Sequence, residues 1–311
     1  MKNTAPIALF VYNRPKETEG LIKSLKNNKL AMESPLFIFS DAPKSEEQMK
    51  EVSETRSIIK KISGFKSIKI TESDENKGLA RSIIEGVTQV INEYGKIIVL
   101  EDDLILADDF LEYMNEALDT YEDNSSIWSV TGYGPPIDID PDYKNDVYLS
   151  YRGCSWGWGT WKDRWSKHEW DLSDYDNFSK DSLSVNNLKN GGDDLLKMLE
   201  LQAIGKMDSW AIRSCYSQSK YKMYTVYPVK SKLQNIGFGK NSTHCTSTST
   251  KYKTEINKKK VVFTNDLVIN DKIIYNFKKY YDLDLIGKIG YFLKRHDLYQ
   301  YFKWTKNYLR K

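Results

Sequence analysis

Short apolar runs and amphipathic stretches alternate through the first 131 residues. Runs at 7–12, 36–40, 67–71, 97–100 and 127–130 predict five strands. Between them apolar positions recur every three or four residues. Over 16–28, Leu21, Ile22 and Leu25 share one helical face. Over 78–94, Leu79, Ile83, Val87 and Val90 do the same, and Gly95 is placed to end that helix. Two further helices are predicted at 45–63, where Ser45 and Gln48 form a capping-box pattern before Gly64, and at 109–121. This alternation predicts an α/β fold, a mostly parallel sheet with helices on both faces.

The pattern weakens after residue 131. Residues 132–250 are rich in Trp, Gly and Tyr, with helices predicted at 194–204 and 206–217 and a Gly/Ser/Thr-rich loop at 235–251. Residues 282–311 predict a basic, aromatic helical tail. The chain therefore divides into an α/β half, 1–131; a Trp/Gly/Tyr-rich half, 132–250; and a C-terminal tail, 251–311.

In a doubly wound sheet, ligands bind beyond the carboxyl ends of the strands. That rule gathers Asn13 and Arg14 after the first strand and Asp41 after the second. It adds Asn76, Lys77 and Gly78 after the third, and Glu101, Asp102 and Asp103 after the fourth. The last group carries the strongest signal. An apolar strand, Ile97-Ile98-Val99-Leu100, delivers three neighbouring acids to a sheet edge. Like charges so close repel, and a divalent cation, Mn2+ or Mg2+, is the natural compensation. If the strand continued, Glu101 and Asp103 would share one face. The bland alternative is a solvated acidic turn before Asp108 and Asp109. Arg14 suits phosphate, Asp41 suits a base or ribose, and the Asn76–Gly78 turn opens a helix whose N-terminus favours anions.

In the second half, Asp208 in Met207-Asp208-Ser209-Trp210 is a candidate general base, with Asp193 and Asp194 as rivals. On local sequence alone Asp208 reads equally as a helix N-cap. His244, in the loop, is a candidate to close over a diphosphate or reach a metal. Of the tryptophans in SWGWGTWKDRW, most are expected in the core, and Trp158 is the candidate to touch a ligand.

Composition narrows the classes. The net charge of +3 on 311 residues is too small to point to nucleic acid. It is unevenly spread: residues 251–311 hold 15 Lys/Arg against 6 Asp/Glu, leaving the rest of the chain at −6. Three scattered cysteines lack zinc spacing and fit a reducing cytoplasm. No run approaches the ~20 apolar residues of a membrane span, and the N-terminus reads as no signal peptide.

Several of these motifs, in order, resemble a GT-A glycosyltransferase domain. The likeness is to the eukaryotic N-acetylglucosaminyltransferase that starts N-glycan branching and to its bacterial relatives, over roughly residues 5–215. IIVLEDDLILADDFLEYM resembles that family's strand, its Glu-Asp-Asp form of the DXD motif and the following helix. NSSIWSVTGY resembles its next strand, RGCSWGWGTWKDRW its Gly/Trp stretch, and MDSW its Asp-Asp-Trp catalytic segment. The resemblance implies a nucleoside-diphosphate-sugar donor, UDP-linked, Mn2+, and single displacement with inversion. It implies that Asp103 contacts the metal, that Glu101 and Asp102 lie near ribose and sugar, and that Arg14 and Asp41 hold the nucleotide. The family's base is the second Asp before Trp, where this chain has Ser209; Asp208 matches the first.

The biological expectation is cytoplasmic sugar transfer to a saccharide acceptor in surface polysaccharide synthesis. The basic tail at 282–311 either lies on an anionic membrane, where lipid-linked acceptors reside, or packs on the catalytic body. A sugar nucleotidyltransferase would share the α/β half, but VYNRPKET lacks the glycines such enzymes carry after the first strand. A non-catalytic saccharide-binding module would explain the aromatics and not the acids.

Overall fold

The computed structural model describes residues 4–237 and 250–298. Its first four strands are β1 Ile7–Val11, β2 Pro35–Ser40, β3 Ser67–Glu72 and β4 Lys96–Glu101. They pair in parallel in the order β3-β2-β1-β4. Between them run α1 Pro15–Lys26, α2 Met49–Ile59 and α3 Leu79–Tyr94. Alternation along β1 sorts the two helical layers. Ile7, Leu9 and Val11 pack with Leu21 and Leu25 of α1, whereas Ala8 and Phe10 pack with Ile83, Val87 and Val90 of α3. Gly86 lets α3 approach closely, because a Cβ there would lie 2.8 Å from the Phe10 ring.

Three-residue β5, Leu104–Leu106, follows the acids directly, before α4 Phe110–Thr120 and β6 Ile127–Thr131. The strand predicted at 127–130 does not lie beside β4. The second half supplies β7 Val147–Ser150, β8 Trp158–Trp161 and β9 Tyr224–Pro228, and β8 inserts antiparallel to both β4 and β6. The full sheet reads β3-β2-β1-β4-β8-β6-β9-β7, with parallel and antiparallel pairs mixed in its second half. It thus draws strands from both 1–131 and 132–250. The Trp-Gly alternation makes β8 fit. Trp158 faces the α3 layer, while Gly159 leaves room for Met114 and Leu118 of α4 on the other face.

The helix predicted at 45–63 is shorter. A 3-10 turn at Glu46–Gln48 precedes α2, and Ser45 makes no side-chain capping bond. The helical part of the second half comprises α5 Lys162–Trp165, α6 Tyr175–Phe178, α7 Ser182–Asn190, α8 Asp193–Ala203 and α9 Trp210–Lys220. The helix predicted from 206 begins only at Trp210, because Ser209 caps it by accepting from the Ile212 N–H at 3.4 Å.

After β9, β10 Leu233–Asn235 pairs antiparallel with β5. Just before it, the fully buried Lys232 donates to Asp109 at 2.6 Å and to the carbonyls of Lys259, at 2.6 Å, and Asn257, at 3.3 Å. Those bonds tie residues 257–259 to the start of α4. Helix α10, Asp271–Tyr281, buries Ile273, Phe277 and Tyr281 in the main core, so this part of the C-terminal segment 251–311 belongs to the folded body. Helix α11, Leu285–Arg295, closes the described chain and buries none of its residues. Among the described residues no helix is long and apolar enough to cross a membrane.

Candidate functional site

The parallel strands β2, β1 and β4 end at one edge, and the polar residues predicted there meet. β4 ends at Glu101, and Asp102 and Asp103 form a turn before β5. This corrects the expectation that Glu101 and Asp103 share a face of a continuing strand. Instead Asp102 and Asp103 turn together toward Arg14, just beyond β1. The Arg14 Nη1 lies 2.7 Å from Asp103 Oδ2 and 3.4 Å from Asp102 Oδ1. The Tyr12 N–H also donates to Asp102, at 3.2 Å.

Both aspartates are buried at 8% exposure, and the Arg14 guanidinium pairs with both. Burial, then the neighbouring Asp103 charge, pushes Asp102 up to about 7, against the pull of Arg14 and the Tyr12 N–H. Burial likewise raises Asp103, partly offset by Arg14 and by Asn235. Glu101 is held well above the usual carboxylate range by burial and by both aspartates. The cluster therefore carries more potential negative charge than its surroundings compensate, the condition under which a divalent cation binds. Among the described residues no three Asp, Glu, His or Cys side chains form a ready-made cage.

Beyond β2, Asp41 organises the opposite side of the edge. Its carboxylate accepts from the Lys77 N–H and the Gly78 N–H, each at 2.9 Å, and from Asn76 Nδ2 at 3.2 Å. Gly78 turns the chain into α3 at φ +74°, a conformation that favours glycine. This changes the reading of the turn. The N–H groups expected to face a phosphate are taken by the protein's own carboxylate. Lys77 in turn reaches Glu85 at 2.7 Å. Asn13 lies between Tyr12 and Arg14 at the same edge, partly buried.

A feature the sequence reading missed is the strap formed by β10. Asn235 Nδ2 donates to Asp103 Oδ1 at 3.3 Å, and the Ile236 N–H donates to the Asp103 carbonyl at 2.8 Å. Gly237 then passes so close that a Cβ on it would sit 2.1 Å from Asp103 Oδ2. The run Asn235-Ile236-Gly237 was the available signal. The candidate His244 lies outside the described residues.

Asp208 is exposed and pairs with Arg213 Nη2 at 2.7 Å, leaving its other oxygen toward solvent. Its segment is fixed to the sheet by Trp210, whose ring stacks on Trp158 at 5.0 Å. Trp158 in turn pairs with Val99 across β4–β8, two residues before Glu101. Asp194 is placed differently. Its carboxylate makes a two-pronged ion pair with Arg152, at 2.8 and 2.9 Å. Arg152 follows β7, four strand positions from β4, about 19 Å away at ordinary strand spacing. Asp193 accepts from the Leu283 N–H at 2.7 Å, anchoring the entry to α11. Both rivals for the base are thus engaged in holding α8 to its neighbours.

Trp158 is also corrected. At 3% exposure, stacked with Trp165 and Trp210, it is core rather than a wall for a sugar. Trp161 and Trp165 are buried too, and Trp156 is the member of that cluster left partly open. His168 sits among Trp128, Trp165 and Trp170, and burial drops it to about 3, so it is a neutral core histidine.

Comparison with known proteins adds one strong finding. The sequence profile of glycosyl transferase family 2 matches residues 7–170, from β1 through the tryptophan-rich segment. No curated protein matches the chain. Among solved structures, S. aureus TarS shares 13% identity with a TM-score of 0.31, over 47% of this chain and 24% of that one. The mannosyltransferase PcManGT from Pyrobaculum calidifontis, solved with GDP-Man and Mn2+, shares 11% with a TM-score of 0.36, over 52% of this chain and 46% of that one. The chain thus spans less than half of either protein, and overlays this loose support no inference about its site.

Proposed function

Because this chain belongs to glycosyl transferase family 2, it is a GT-A-type sugar transferase, and we propose that it works with a divalent cation on a nucleoside-diphosphate sugar. The donor is UDP-linked in this reading, the group moved is a hexosyl or N-acetylhexosaminyl unit, and the acceptor is a saccharide hydroxyl. The observation that carries the reading is the buried acid turn, Asp102-Asp103, beside Glu101 and matched by one arginine.

In this reading each residue has a role. Asp103 holds the cation, Mn2+ or Mg2+, which when bound neutralises charge on the departing diphosphate. Arg14, now on the two aspartates, is within reach of the same phosphates. Asp41, whose carboxylate accepts from Ala42, Lys77, Gly78 and Asn76, fixes the turn that borders the nucleoside in this reading. Glu101 and Asp102 line the ribose and sugar side. Asp208 takes the proton of the acceptor hydroxyl as that oxygen attacks the anomeric carbon. The carbon–diphosphate bond breaks on the opposite face, so the centre inverts. The role we assign is transfer to a lipid-linked saccharide in bacterial surface polysaccharide synthesis, at the cytoplasmic face of the membrane.

Incubation with UDP-sugars and Mn2+, read as nucleotide release, tests the reading directly. Pyrophosphate release from a nucleoside triphosphate would instead mark a nucleotidyltransferase, and no release at all a binding module. Asp208→Asn should lower turnover by about a hundredfold or more while leaving the donor dissociation constant nearly unchanged. A variant with near-normal turnover would remove Asp208 from the mechanism.

The raised acids give a pH signature. Asp102 titrates near 7 in the fold against an ordinary value of 3.8, so the folded state holds more protons than the unfolded between those limits. Its contribution to stability is therefore greatest below pH 4, falls as pH rises toward 7 and stays lost above it. A bound cation favours the ionised form. The rise in Tm on adding Mn2+ should accordingly be larger at pH 7.5 than at pH 5. Equal shifts at both values would argue that these carboxylates do not hold the ion.

A further inference from the structure

Helix α11 is mounted the wrong way round for a helix of a soluble body. Leu285, Ile286, Ile289 and Phe292 form one apolar stripe at helical spacing, and such a stripe ordinarily faces the core. Here they are 74%, 78%, 48% and 53% exposed. The polar side faces inward onto α8. The Tyr291 hydroxyl and Arg295 both bond Glu200, Arg295 at 2.8 Å, and Lys197 lies over the Tyr291 ring at 4.6 Å. Lys206 bonds the Arg295 carbonyl and Asp297. The preceding helix, α10, does the reverse and buries Ile273, Ile274 and Phe277. The inversion is thus specific to α11. It is held by polar contacts rather than left over from poor packing.

We propose that α11 is an interfacial helix that lays this stripe into the surface of an anionic lipid bilayer. Charge selects that occupant. From 285 to the C-terminus the sequence holds seven Lys/Arg and one acid, Asp297. Lys288, beside the stripe, is exposed. A second copy of the chain would bring an equally basic segment against this one, and the repulsion disfavours self-pairing. An anionic headgroup layer attracts it instead. The sequence beyond α11 continues in kind, with Tyr299, Tyr301, Phe302, Trp304 and Tyr308 among its basic residues, aromatic types suited to a headgroup boundary. The proposal does not rest on the catalytic reading, since vesicle binding is measured without any sugar donor.

Flotation of the full chain with vesicles tests it. Vesicles of phosphatidylcholine with about one third phosphatidylglycerol should carry the protein upward, vesicles of phosphatidylcholine alone should not, and high salt should weaken the binding. The variant Ile286→Glu/Phe292→Glu alters two exposed side chains, so its Tm should match the wild type while its vesicle affinity falls by about tenfold or more. Three results would overturn the proposal: wild-type protein left at the bottom with anionic vesicles, equal flotation with both lipids, or undiminished flotation of the double variant. A fourth is concentration-dependent self-association, abolished by the same variant in a chain that ignores vesicles, which would make the stripe a contact between copies.

Discussion

Asp103→Ala should reduce cation-dependent sugar transfer by about a thousandfold, the scale of several kcal/mol that a Lewis-acidic ion contributes to a charged leaving group. The same variant should lose Mn2+ binding in calorimetry, a readout that does not require turnover. Its fold should survive. The side chain's direct partners are Arg14 and Asn235, and releasing the Asn235 contact costs about 1 kcal/mol. Arg14 keeps Asp102 as a partner. Wild-type rates with intact metal dependence in this variant would defeat the assignment of the acid turn. A loss of rate with unchanged Mn2+ binding would move the cation elsewhere while leaving Asp103 at the substrate.

Lys232→Met should destabilise the protein by about 3 kcal/mol, seen in denaturant unfolding at unchanged slope. Methionine nearly conserves the volume, so the loss comes from polar partners rather than from a cavity. Asp109 would lose its ion pair while its other oxygen is already buried without a bond, and the carbonyls of Asn257 and Lys259 would lose their donor. Asp109 is 27% exposed, so water softens the penalty toward the lower end of what a broken buried pair costs. An effect below about 1 kcal/mol would mean that residues 257–259 are held by something other than this lysine.

The first half of the fold was legible because its periodicities are clean. β1, β2, β4 and α3 differ by at most a residue or two from the pattern, and the sheet-edge rule brought Arg14, Asp41, Asn76–Gly78 and the three acids to one place. The second half was not legible for identifiable reasons. β8 is four residues long and alternates Trp with Gly and Thr, a pattern that reads equally as a loop. β5 is three residues and exists only by pairing with β10, more than a hundred positions later. Trp158 looked available because aromatic surface alone cannot say whether Trp165 and Trp210 will cover it. Asp193, Asp194 and Asp208 read alike in sequence, since the partner that engages Asp194, Arg152, is some forty residues away in the chain. For α11 the wheel was readable and its mounting was not, because that depends on Glu200 and Lys206 of a neighbouring element.

The engagement of Asp41 with the start of α3 has a consequence for how this edge handles negative charge. A sixteen-residue helix points its positive end at this sheet edge, yet Asp41 already occupies the Lys77 and Gly78 N–H groups. In the proposed reading, a diphosphate arriving there finds the two N–H groups of the turn already engaged, and the cation and Arg14 must meet more of its charge. Recognition in that reading leans on ionic balance, which would make the grip on the leaving group something that salt and divalent ions can tune.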